Sequence, residues 1–162
     1  MHEVEFCAQV KSWLDALFAQ HPEWPFDHAA IEQYGTGSAQ RSDLRVYARN
    51  SATPVLTGEV KMPGTADGRT PFQTALVRDA EGKASNVQCQ YFFTWNVQTL
   101  VLFDRSLWHL PLIERRIKDW ALKRFSRDRP EPSAMNSPSR LHPCSLKISF
   151  IARIPISQLP TP

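Results

Sequence analysis

Two apolar runs lie almost back to back: Tyr91-Phe92-Phe93-Thr94-Trp95 and Thr99-Leu100-Val101-Leu102-Phe103. Only Asn96-Val97-Gln98 separates them. Runs this short are too brief for core helices, and their β-branched and aromatic content suits strands. A strand of an exposed sheet alternates apolar and polar. A near-continuous apolar strand is covered on both faces. The chain therefore predicts a sheet with helices packed on each side.

The rest of the pattern supplies those helices. Over 3–20, apolar groups at Val4, Phe6, Cys7, Val10, Trp13, Leu14, Leu17 and Phe18 follow a helical period. Pro22 and Pro25 close that helix. Residues 71–90 predict a second helix, with Phe72, Ala75, Leu76, Ala80 and Ala84 inward and Gly82 as a weak point. Residues 112–125 predict a third, using Ile113, Ile117, Trp120, Ala121 and Phe125. Further strands are expected near 30–34, 44–48 and 55–62, with a turn at Gly35-Thr36-Gly37-Ser38. The expected class is α/β: a mixed central β-sheet flanked by helices.

Composition narrows the function. The chain has 162 residues, 42% hydrophobic and 22% charged, with a formal net charge of +3. That mild basic excess is concentrated between Arg115 and Arg153 and suits a polyanion partner. No run of about 18 apolar residues is present, so no membrane partner is expected. The N-terminus lacks the charged and apolar regions of a signal peptide. The three cysteines, Cys7, Cys89 and Cys144, lack ligand spacing and predict neither a disulfide framework nor a zinc site. Reduced cysteines make the cytoplasm the expected compartment. The five histidines are scattered and predict no metal site.

Chemistry concentrates at Asp43 and at Glu59-Val60-Lys61. Both segments are short apolar strands carrying charge. Alternation puts Glu59 and Lys61 on one face and Val60 on the other. A hairpin then gathers two carboxylates and an ammonium at one sheet end. Mg2+ or Mn2+ takes oxygen ligands and uses one or two carboxylates. Asp43 and Glu59 supply these, and the Val60 carbonyl can add a third oxygen. Lys61 can orient or deprotonate water, or stabilise charge on a pentacoordinate phosphate.

These residues resemble the PD-(D/E)xK nuclease superfamily. Ser42-Asp43 stands for the Pro-Asp half and Glu59-Val60-Lys61 for the ExK half. The segment from Arg41 to Asp104 is also similar to nuclease-like N-terminal domains of restriction-modification proteins. The phrases Leu56-Thr57-Gly58-Glu59-Val60-Lys61 and Tyr91-Phe92-Phe93-Thr94-Trp95-Asn96 carry that likeness. The resemblance implies a restriction-endonuclease-like αβββαβ core within 1–125. Composition makes 126–145 a Pro/Ser/Arg-rich loop. A C-terminal strand and tail at 146–162 would lead toward a further domain. The resemblance also implies a Mg2+-dependent DNA endonuclease in restriction or phage defence, with further domains or subunits as partners. Many such nucleases form homodimers to cut both strands. The alternative is a nuclease-like domain that binds nucleic acid or a protein without cleaving.

The family often places another carboxylate on the first helix. Glu5 is the better match and Glu3 the alternative, and Glu32 can approach from the first strand. Arg78, Lys83 and Gln88 are candidate DNA contacts, with Gln88 and Tyr91 loosely matching a Gln/Tyr pair of some members. Arg115, Arg116, Lys118, Lys123, Arg124 and Arg127 form a basic stretch that can meet phosphates.

Overall fold

The computed structural model describes residues 2–34 and 41–121; the side chains at 32–34 and 41 are outside this description. The element order is α1 (Glu3–Gln20), β1 (Phe26–Tyr34), β2 (Arg41–Ala48), β3 (Pro54–Val60), α2 (Thr74–Asn86), β4 (Tyr91–Trp95), β5 (Thr99–Asp104) and β6 (Arg116–Ala121). Two 3-10 turns, Arg105–Leu107 and Leu112–Arg115, link β5 to β6. The six strands form one sheet in sequence order. β3 and β4 are parallel, joined through α2, and every other neighbouring pair is antiparallel. The sheet is mixed and its class is α/β. The αβββαβ order expected from the sequence is present in the first six major elements.

Alternation divides the core into two layers. On one face α1 lays Phe6, Cys7, Val10, Leu14 and Phe18 against Leu44, Val46, Leu56, Val60, Phe93 and Leu102. On the other, α2 lays Val77, Ala80 and Ala84 against Phe92, Val101 and Phe103. All five residues of β4 are buried, as a doubly covered strand requires. Each large aliphatic or aromatic side chain so buried stabilises the fold by about 1.5–3 kcal/mol.

One expected helix is a strand. Residues 112–121 form a 3-10 turn and β6, which pairs antiparallel with β5, Leu100 facing Trp120 and Leu102 facing Lys118. The segment fits both periods: Ile113, Ile117 and Trp120 match a helical face, yet 116–121 also reads as a polar edge strand. Pairing satisfies the otherwise open backbone edge of β5, which the helix could not do. β1 begins earlier than the expected strand, at Phe26, whose ring is fully buried against the α1 layer. The expected turn at 35–38, the loop at 126–145 and the strand at 146–162 lie outside the described residues.

Two glycines have opposite constraints. A Cβ at Gly58 would come within 2.5 Å of the Phe93 ring and carbonyl, so β3 and the Phe93 side chain meet only because Gly58 has none. A Cβ at Gly82, inside α2, would meet nothing within 4 Å. Urea unfolding should show Gly82→Ala stabilising the chain by about 0.5–1 kcal/mol. Gly58→Ala should destabilise it by about 1–3 kcal/mol. Equal effects at the two positions would contradict this packing.

Candidate active site

Asp43 and Glu59 meet because β2 and β3 form an antiparallel pair with Leu44 opposite Gly58 and Arg45 opposite Thr57. One residue further in that register, Asp43 stands across from Glu59. The backbone amide of Val60 donates to Asp43 Oδ2 at 2.8 Å, so a side chain takes over where the ladder ends. Val60 itself turns into the α1 layer and is fully buried. Lys61 follows the last residue of β3, and its amide donates to the Trp95 carbonyl at 2.8 Å.

Three carboxylates surround the Lys61 ammonium. Its Nζ is 3.0 Å from Glu3 Oε1, 3.6 Å from Asp43 Oδ2 and 3.9 Å from Glu59 Oε2. Glu3 reaches this point because the first turn of α1 lies over the end of β4, where the Phe6 and Trp95 rings meet edge to face at 4.9 Å. The carboxylate that the first helix brings to Lys61 is thus Glu3 and not Glu5. Glu5 is exposed and accepts from the His2 amide at 2.8 Å, capping the helix start. Rotation explains the difference. Glu3 continues the buried stripe Cys7, Val10 and Leu14, while Glu5, two residues on, points about 200° away.

Glu59 is the unusual member. Its side chain is 1% exposed. Lys83 of α2 places Nζ 2.7 Å from Glu59 Oε2 and 2.8 Å from Asp79 Oδ2. Lys83, expected as a DNA contact, therefore turns inward onto a carboxylate. Glu59 Oε1 is buried, and no hydrogen-bond partner for it is present among the described residues. Burial, and then the charge of Asp43, push the Glu59 carboxyl up to about 8, against the pull of Lys83 and Lys61. Burial works against the Lys61 charge, but Asp43 and the Glu3 hydrogen bond leave its pKa raised. Lys83 is likewise held high by Asp79 and Glu59 despite burial.

The other expected contacts are dispersed. Arg78 is exposed on α2. Gln88 has a positive φ of 54° and lines a cleft with Arg45, Tyr47, Thr53 and Asn86, where β3 begins. Five residues of strand, about 16 Å, separate that end from Glu59. Tyr91 also lies at the far end, paired with Leu56. Arg115 turns back onto Glu81 and onto the carbonyls of Leu110 and Trp108. Arg116 pairs with Asp119 and lies over the Phe72 ring, and Lys118 lies over Trp120. Asn96 caps the turn after β4, accepting from the amides of Gln98 and Thr99, and ties down the Gly68 carbonyl. Glu32, Lys123, Arg124 and Arg127 have side chains outside the description.

Sequence reasoning assigned Lys83 to DNA and missed its pairing with Glu59, although a signal existed. Lys83 stands seven residues after buried Leu76, two turns along the same helix side. A lysine on an inward stripe calls for a buried acid.

Among the described residues, no group of three or more His, Cys, Asp or Glu side chains is arranged to hold a metal ion as it stands. The donors nonetheless fit a hard divalent cation. Asp43 and Glu59 are carboxylates on neighbouring strands, and Glu59 keeps a buried oxygen without a hydrogen-bond partner among the described residues. Histidine and cysteine, the ligands of softer metals, are not among the donors. Burial, followed by the Asp43 and Glu3 charges, pushes the Cys7 thiol up to about 12, which disfavours the thiolate that a metal would need.

No protein-family model matches the chain, and no curated protein matches it. Among solved structures it is similar to the type IIG restriction endonuclease BpuSI, with a TM-score of 0.47 and 14% identity over 68% of this chain. The chain covers 12% of that protein's length. No described helix is long and apolar enough to cross a membrane.

The Glu59 environment has a consequence for stability. The folded chain binds the Glu59 proton more tightly than an ordinary carboxyl near 4.5 does. That contribution is fully present below about pH 4.5 and is lost as the pH rises through about 8. Urea midpoints of the metal-free chain should fall between those limits, and Glu59→Gln should flatten that fall. An equal slope in both proteins would contradict the assignment.

Proposed function

We propose that this chain is a metal-dependent nuclease domain that hydrolyses DNA phosphodiester bonds, with a role in restriction or phage defence. One observation carries the reading. Glu3, Asp43 and Glu59 converge on Lys61 at the end of a single strand, and one buried carboxylate oxygen there has no hydrogen-bond partner among the described residues. The resemblance of Asp43 and Glu59-Val60-Lys61 to the PD-(D/E)xK pattern gives that convergence its chemistry.

In this reading Asp43, Glu59 and the Val60 carbonyl would hold Mg2+ or Mn2+. When bound, such an ion lowers the pKa of water and offsets charge on the phosphate. The chain's own residues do the rest. The β2–β3 register sets the spacing of the two carboxylates. The Val60 amide fixes one oxygen of Asp43. Lys61 offers an ammonium and its donors beside the scissile phosphate, where negative charge develops. Glu3 holds Lys61 from the other side.

A second reading, a domain that binds DNA or a protein without cleaving, is favoured by one feature. Lys61 Nζ lies between the carboxylates, a position that also makes a closed, metal-free charge cluster. Incubation of the full chain with plasmid and single-stranded DNA, in Mg2+, Mn2+ or chelator, separates the two. The nuclease reading predicts metal-dependent cleavage that Asp43→Ala or Lys61→Ala lowers about a hundredfold or more. Full metal-dependent cleavage by Lys61→Ala would refute the role given to Lys61. Chelator-insensitive cleavage, or none by wild type, would refute the nuclease reading.

A further inference from the structure

The proposed metal site is anchored from one strand pair, but a second element grips it from above. α2 sets Asp79 and Lys83 one turn apart, and Lys83 Nζ joins Asp79 Oδ2 to Glu59 Oε2 in a two-bond bridge. The order of the helix pair, acid before lysine at i,i+4, is the more favourable one. Lys83 is 13% exposed and Asp79 42% exposed, so the bridge runs from solvent into the buried site. Asp79 also lines a small cleft with Lys61, Asp67, Ala75 and Leu76.

We infer that Lys83, held by Asp79, is a positioning residue that fixes the Glu59 carboxylate so that Oε1 faces the metal. This rests on the nuclease reading above. The terminal torsion of a glutamate is broad and roughly two-fold, so an unheld carboxyl turns freely. At 2.7 Å Lys83 holds Oε2, and the plane of the carboxylate then sets Oε1, the oxygen without a partner. Lys61 cannot supply this constraint: it lies 3.9 Å from the same oxygen and is engaged by Glu3 and Asp43. Partners that orient a metal ligand from outside the coordination shell typically change metal affinity 10–100-fold when removed.

Calorimetric titration of the full chain with Mn2+ tests this, alongside cleavage measured over a range of Mn2+ concentrations. Lys83→Met should weaken Mn2+ binding about tenfold or more and raise the Mn2+ needed for half-maximal cleavage equally. The rate at saturating Mn2+ should stay within about threefold of wild type, because Lys83 touches neither phosphate nor water in this reading. Lys83→Arg, which keeps the charge and the donors, should recover part of the affinity. Should Lys83→Met fail to fold, Asp79→Asn carries the same test from a more exposed position, with a severalfold loss expected. An Mn2+ affinity equal to or tighter than wild type's in the folded variant would overturn the inference, since a lysine that merely competes with the metal gives that result. A wild-type chain that neither binds Mn2+ nor cleaves would overturn the nuclease reading and this inference with it.

Discussion

A carboxylate at 1% exposure, set across a strand pair from a second carboxylate, needs cations within reach. Glu59 is that group, and much of the local structure is arranged around it. Lys83 comes down from α2 on one side, and Lys61 comes around the strand end on the other. Glu3 and Asp43 then balance Lys61, and Asp79 balances Lys83. Removing either lysine leaves an acid short of charge, and breaking one partner of a buried pair costs about 3–5 kcal/mol. In the proposed reading, Glu59 is a ligand for a harder cation than an ammonium.

The sheet makes that arrangement affordable in packing terms. Gly58 lets β3 approach Phe93 closely, and Val60 buries its side chain in the α1 layer. Between them Glu59 has to face α2. The parallel β3–β4 pair brings α2 back across the sheet, so Lys83 and Glu59 meet as a result of the crossover. The N-terminal turn of α1 approaches the same sheet end, which brings Glu3 to the C-terminal end of β3. Four elements, α1, β2, β3 and α2, therefore meet at one sheet end, and none of them builds the site alone.

Much of this was legible in the letters. The alternation of β2 and β3 placed Asp43, Glu59 and Lys61 together, and the double apolar run placed β4 and β5 inside. What stayed hidden depended on rotation and on edges. Whether Glu3 or Glu5 points at the sheet is a matter of helix phase, readable from Cys7, Val10 and Leu14 only once α1 is known to dock by that stripe. The sequence offers Lys83 as an outward DNA contact; its position two turns from Leu76 is the contrary sign. The strand at Arg116–Ala121 was read as a helix because its apolar residues fit a helical period, while the open edge of β5 that recruits it is invisible in sequence. Short polar segments follow their tertiary partner more than their own propensity.

We propose that this cluster, in which the Lys61 ammonium stands among three carboxylates, is a metal site. Anomalous diffraction from crystals soaked in Mn2+ tests it directly. The account predicts one strong peak between Asp43 and Glu59, within coordination distance of Glu59 Oε1. An empty map there, with Lys61 still lodged between Glu3, Asp43 and Glu59, would contradict it.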